Sequence, residues 1–169
     1  MRSVLTLAVL ALFAAPAAGQ EWPVVNGGTE GLRGVREMGV FLTRMPDLDG
    51  IPSELTIRTA IELRLRQNGV RVVGTEKFDS RRPNLAIDVS AIRMREADAL
   101  VYSVHLDFRR PGQFLVGAEK QPRMLTGRLL ELGYLGYSNT DESKDAIREA
   151  VVEVVDGFIN KWLEANPTR

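Results

Sequence analysis

The chain has 169 residues, a usual length for a single domain. Its 22 basic and 22 acidic side chains give no net charge and are interspersed, which argues against a nucleic-acid partner because phosphate binding needs clustered positive charge. With no cysteine and one histidine, the sequence excludes disulfides, thiolate metal sites and a lipid-bearing cysteine, and we expect no metal and no cofactor.

Residues 1–19 have the features of a secretory signal peptide. Arg2 precedes a run over residues 4–15 that is apolar apart from Thr6, and small residues follow at Ala17, Ala18 and Gly19. The run is too short to span a bilayer, which favours a cleaved signal over a membrane anchor. We therefore expect a soluble exported protein, periplasmic or extracellular, that is not a lipoprotein.

The next segment, residues 20–31, contains Pro23 and the cluster Asn26-Gly27-Gly28, which predict a flexible lead-in. A single domain is expected over residues 32–169. Its first strand is predicted over residues 35–43, where apolar side chains on both parities are typical of a central strand covered on both faces.

A helix is predicted next, because Ser53 is a favourable N-cap and Asn68-Gly69 a favourable C-cap. Between them Ile57, Ile61 and Leu65 recur every fourth residue and form one apolar face. Residues 70–73, three of which are β-branched valines, follow at once, which predicts a right-handed crossover and a second strand parallel to the first.

Alternating patterns predict the rest of the sheet. Residues 85–91 and 100–108 alternate apolar and polar side chains, as strands of a one-sided sheet do. Pro111-Gly112 is expected to interrupt the second of these strands, and residues 124–132 are interpreted as a further strand rather than a helical turn.

The chain ends in its clearest helix. Thr140 is the expected N-cap, Asp141 and Glu142 fall in the first turn, and Asn166-Pro167 ends the helix. The predicted fold class is therefore α+β, a mixed four- to five-stranded sheet with two helices on one face in the order β-α-β-β-β-β-α. The apolar stripe of the last helix consists of Ile147, Val151, Val154, Val155, Phe158 and Trp162.

Candidate binding residues are few. Tyr134 and Tyr137 lie among glycines in residues 133–137, which we interpret as an exposed loop that contacts a partner. Arg109 and Arg110 precede a proline and are expected on a loop at the end of the sheet, where they contact an anionic partner or simply face solvent.

An alternative ligand site uses His105, Asp107 and Arg109, which share one face of a predicted strand. A carboxylate in that position can orient an imidazole, but no serine elbow or phosphate loop accompanies the pair. A solvent-facing sheet histidine is the simpler interpretation, and no catalytic residue is assigned.

The last helix has the sequence Val155-Asp156-Gly157-Phe158-Ile159-Asn160-Lys161-Trp162-Leu163, followed by Asn166-Pro167. This sequence resembles the ending of a group of small exported bacterial proteins of unassigned function. The first helix, with Glu62-Leu63-Arg64-Leu65-Arg66 before a glycine turn, is similar to theirs. The resemblance implies a fold and an exported location but no activity. This chain departs from the group at Pro111-Gly112, where the group has a continuous strand.

The predicted element order is also similar to the amino-terminal domain of TolB and to curli-secretion-type envelope lipoproteins. These bind other envelope proteins, so the resemblance implies a non-enzymatic binding or assembly module of the cell envelope with an envelope protein as partner. The alternative is a periplasmic hydrolase or small-ligand binder that uses carboxylate and arginine side chains.

Overall fold

The computed structural model describes residues 28–74, 78–116 and 121–167. A 3-10 helix, Gly28–Leu32, comes first, and a second one, Arg95–Ala97, joins β3 to β4. The strands and α-helices follow the predicted order, and the α+β fold class is confirmed. Their bounds are β1 Glu37–Arg44, α1 Glu54–Gln67, β2 Arg71–Val72, β3 Asn84–Met94, β4 Ala99–Val116, β5 Gln121–Asn139 and α2 Ser143–Ala165.

The predicted signal peptide, residues 1–19, lies outside the described residues, as does most of the predicted lead-in. The last residues of that lead-in belong to the first 3-10 helix, in which Gly31 and Leu32 are buried. Gly31, the last residue of the predicted lead-in, is therefore packed against the rest of the chain.

The five strands form one sheet in the order β2-β1-β3-β4-β5. β1 pairs parallel with both β2 and β3, and β3, β4 and β5 pair antiparallel. The predicted crossover from β1 through α1 to a parallel β2 is confirmed. Asn84, the first residue of β3, pairs with Arg109 of β4. Beyond that pair β4 and β5 continue together as a two-stranded arm.

Capping fixes the ends of α1 as predicted. Ser53 Oγ accepts a hydrogen bond from the Thr56 N–H at 3.2 Å. At the other end Asn68 is the C-cap, and Gly69 takes the left-handed conformation, with φ +84°, that favours glycine.

One hydrophobic core joins both α-helices to one face of the sheet. Alternate residues of β1, β3 and β4 meet Ile57, Ile61 and Leu65 of α1 and the predicted stripe of α2, all of which is buried. The rings of Phe108 and Phe158 lie 5.5 Å apart. A one-sided sheet results, with β4 and β5 under α2 and β1 and β2 under α1.

Two strands are longer than predicted. The expected interruption at Pro111-Gly112 is wrong, because β4 continues to Val116. Pro111 is tolerated there because this part of β4 lies beyond β3 and pairs on one side only, with Thr126 opposite. Residues 133–137, predicted as a loop, are part of β5, where Gly133 and Gly136 face His105 and Tyr102 of β4.

The predicted start of α2 is also wrong. The helix begins at Ser143, and Thr140 is not its cap: the Thr140 hydroxyl contacts the carbonyl of Asp98 at 3.2 Å and its carboxylate at 2.8 Å. Thr140 thus fastens the end of β5 to the turn between β3 and β4, where Asp98 has a positive φ of 44°. Because the Thr140 hydroxyl makes this contact with Asp98, it does not cap α2 as the sequence predicted.

Candidate functional site

The sheet face opposite the helices, here the open face, carries four of the six predicted site residues, namely His105, Asp107, Arg109 and Tyr137. Side chains alternate along a strand, so the residues of β4 between the core positions point to this face. Strand pairing then aligns them with β3 and β5 in cross-strand rows. One such row consists of Ile92, Val101 and Tyr137.

An apolar surface, here the apolar patch, occupies the end of the open face nearest the turn between β3 and β4. Ile92, Met94, Leu135 and Tyr137 are 71%, 49%, 77% and 80% exposed, and Val101 is half-buried between them. Such clusters of exposed large apolar side chains are uncommon on monomers and mark binding surfaces. The patch surrounds a shallow depression of about 560 Å³, lined by Met94, Ala97, Ala99, Val101, Leu135, Gly136, Tyr137 and Asn139.

Polar side chains occupy the middle of the open face. His105 is exposed, and its cross-strand neighbour on β3 is Asp88, whose carboxylate accepts hydrogen bonds from Ser90 Oγ at 3.0 Å and Thr43 Oγ1 at 3.4 Å. On the other side His105 lies against Gly133, with Nδ1 at 3.3 Å from the position that a Cβ would take there. The imidazole thus lies on a flat part of the sheet.

The end of the open face away from the patch holds an ion-pair network. The Asp107 carboxylate accepts from Arg109 and from Arg128, each at 3.0 Å, and Arg128 also binds Glu131 at 3.1 Å. The Asp107 carboxylate is therefore bound by two guanidinium groups, whose positive charges compensate its negative charge. His105, Asp107 and Arg109 share the face as predicted, but the contacts that Asp107 makes are to arginine.

Arg110 has a different role from its neighbour. It lies on the other parity of β4 and donates to the carbonyls of Gly31 and Arg33, both at 3.0 Å. Burial lowers the pKa of its guanidinium. Arg110 ties the first 3-10 helix to the sheet, and Arg109 and Arg110, expected on a loop, lie within β4.

The two candidate tyrosines lie on opposite faces of β5. Tyr137 belongs to the apolar patch, whereas the half-buried Tyr134 stacks on Tyr102 on the helix side, with ring centroids 6.2 Å apart. Burial raises the pKa of Tyr102, and Tyr134, Glu149 and Glu153 act in the same direction. The carboxylates of α2 therefore lie close to this tyrosine pair.

Comparisons with known proteins leave the function open. No protein-family model matches the chain, and no curated protein matches it. Among solved structures it is similar to the PelC dodecamer from Paraburkholderia phytofirmans, at 10% identity and a TM-score of 0.46, over 86% of this chain and 94% of that one. It is also similar to an uncharacterised protein, at 14% identity and a TM-score of 0.35, over 85% of this chain and 92% of that one.

A second, larger depression of about 640 Å³ lies between the loop after β1 and the start of α2. Its lining mixes Lys144 and Arg148 with Asp47, Glu54 and Asp145, and Arg148 is paired with Asp145 at 3.2 Å. This mixture favours no single charge of ligand.

Across the described ranges no helix is long and apolar enough to span a membrane, and no group of histidine and acidic side chains could hold a metal ion.

Sequence reasoning missed the contribution of β3 to the patch. Ile92 and Met94 follow Ala86, Asp88 and Ser90 on the parity that points away from the core. Large apolar residues on the solvent parity of a one-sided strand were a usable signal. Their meeting with Tyr137 depends on the register of three strands, which the sequence alone does not specify.

Proposed function

We propose that this protein is an exported, non-enzymatic module of the bacterial cell envelope that binds another envelope protein through the apolar patch. The observation that carries the proposal is the cross-strand surface of Ile92, Leu135 and Tyr137, each more than two-thirds exposed at 71%, 77% and 80%. Burial of a large apolar side chain contributes about 1.5–3 kcal/mol. A partner that covers these side chains therefore gains enough to offset part of the cost of association.

The location is supported by the signal-peptide features of residues 1–19 and by the resemblance to small exported proteins. The shape of the surface supports a protein partner. It is open and nearly flat, as protein interfaces are, and its tyrosine and methionine are residue types enriched in interface cores.

The alternative of a hydrolase or ligand-binding protein built on His105, Asp107 and Arg109 has less support. In this alternative Asp107 would orient the imidazole of His105, but the Asp107 carboxylate is bound by Arg109 and Arg128. These side chains lie on the open face of the sheet rather than in a cleft.

We expect Ile92→Asp to reduce recovery of the partner about tenfold or more, because it places a charge within the apolar patch. The measurement is quantitative mass spectrometry of envelope proteins captured by the tagged protein in its own organism. Ile92 is 71% exposed, so the monomer should fold normally.

The matched control is Leu55→Asp, since Leu55 is 73% exposed but lies on α1, away from the patch. A genuine partner is recovered by the wild-type protein and by the Leu55 variant and is lost from the Ile92 variant. If every captured protein is recovered equally with all three, the patch is not the binding surface.

A further inference from the structure

β5 lies at one edge of the sheet, and in the described part of the chain its only strand partner is β4. The backbone groups on the far side of an edge strand are open to another strand, and proteins usually protect them with charges, prolines or bulges. The first half of β5 has such protection, since Arg128 and Glu131 flank a bulge at Leu129. Residues 132–139 have no charge, no proline and an unbroken register with β4.

Two copies of this unprotected segment fit each other in side-chain size when they run antiparallel, because large residues then face glycines. The sequence Gly133-Tyr134-Leu135-Gly136-Tyr137 can pair antiparallel with itself about Leu135. In that register Tyr137 of each copy lies opposite Gly133 of the other, Tyr134 lies opposite Gly136, and Leu135 lies opposite Leu135. On the open face the Tyr137 ring of each copy then lies beside Gly133 of the other, and an aromatic ring beside a glycine of the neighbouring strand is a favourable cross-strand pair. On the helix side Gly136 is already covered within its own copy by Tyr102 and Tyr134.

Other registers lose this fit. A shift by one residue places Tyr134 opposite Tyr137 or Gly133 opposite Gly136, and it also turns one copy over, because side chains alternate between faces. The register about Leu135 keeps the open faces of both copies on the same side. The sheet then continues from one copy to the other, and the two apolar patches lie next to each other.

Charge complementarity favours the same register. Arg128 of each copy, which is paired with Asp107 and Glu131 of its own chain, comes level with the turn just beyond the end of the other copy's β5. That turn holds Asp141 and Glu142, and these three side chains are exposed. Glu131 falls opposite Asn139, whose amide can donate to it. Both contacts occur twice, as symmetry requires of an isologous interface.

We propose that β5 pairs antiparallel with β5 of a second copy, centred on Leu135, to form a symmetric dimer with one continuous sheet. This interface uses the main-chain edge of β5 and shares Leu135 and Tyr137 with the apolar patch, but it does not require the proposed envelope partner, which the Ile92 variants test separately. It resembles strand addition to an open sheet edge, with a second copy as the added strand.

The central position of Leu135 gives a direct test, in which sedimentation velocity measures the dissociation of the dimer. The sample is the protein expressed with its own N-terminal segment and purified after export. Leu135→Lys and Leu135→Glu each place two like charges on the symmetry axis and are expected to weaken the dimer at least about 100-fold. A mixture of equal amounts of the two variants is expected to restore it, because lysine then lies opposite glutamate. Leu135 is 77% exposed, so neither change disturbs the core.

Ile92→Lys is the matched control, since it adds the same charge to the open face at a comparable 71% exposure but away from the edge. It should leave the dimer intact, while Ile92→Asp tests the patch separately. Two results overturn the proposal: a wild-type protein that stays monomeric at all concentrations, and a mixture of the Leu135 variants that stays as monomeric as either alone. The first means that the edge serves no second copy, and the second that Leu135 is not on the axis.

Discussion

Phe158→Ala is expected to lower the free energy of unfolding by about 3–5 kcal/mol, the cost of removing a fully buried aromatic ring from a packed core. Phe158 is completely buried in α2, and its ring contacts Phe108 of β4 with centroids 5.5 Å apart and planes inclined by 37°. The pair is the aromatic contact between the long helix and the centre of the antiparallel strands. Truncation leaves a cavity that neither the helix nor the sheet can close by a small shift.

Urea denaturation followed by circular dichroism measures this loss. The urea concentration at the midpoint of unfolding should fall, while the dependence of the unfolding free energy on urea concentration stays constant. Leu163→Ala is the control, because Leu163 lies one turn further along α2 and is 37% exposed. It should cost less than about 1 kcal/mol, as surface-helix changes do. An equal loss from both variants would mean that the packing of Phe158 in the core does not determine the effect, and helix propensity could not explain either loss because alanine is the best helix former.

Local patterns were sufficient to predict most of the fold. The four-residue spacing in α1, the cap at Ser53 and the left-handed residue Gly69 act within one or two turns of chain, and the structure confirms each. The same holds for the buried stripe of α2. These features are determined by neighbours in sequence, which is why sequence alone predicts them.

The errors arose where distant contacts override local preference. Pro111 continues a strand because, among the described residues, this part of β4 pairs only with β5, and Thr140 binds Asp98 instead of capping α2. The apolar patch likewise depends on pairing between three strands. Tyr137 was identified as a candidate from its glycine neighbours, but Ile92 and Met94 lie more than forty positions away in sequence and join it only through register.

Gly50→Ala is expected to cost about 2–5 kcal/mol, because the position combines strain with a buried contact. Gly50 has φ +91°, which disfavours any side chain, and an added Cβ would lie 2.6 Å from Ser143 Oγ. That hydroxyl lies 2.6 Å from the Gly50 carbonyl and 2.7 Å from the Thr140 carbonyl, which share its one proton, and Ser143 is completely buried. The methyl group would displace the hydroxyl that joins the loop after β1 to the start of α2.

Gly69→Ala separates the two causes, because Gly69 has a similar φ of +84° but no heavy atom within 4 Å of an added Cβ. It should cost only the backbone strain, about 1–2 kcal/mol. A double-mutant cycle of Gly50→Ala with Ser143→Ala then isolates the contact: the double variant should be more stable than the sum of the single losses by about 1 kcal/mol or more, since the clash needs the hydroxyl. Additive losses would show that the strain of Gly50 alone determines the cost and that Ser143 moves aside freely, in which case the start of α2 does not depend on this contact.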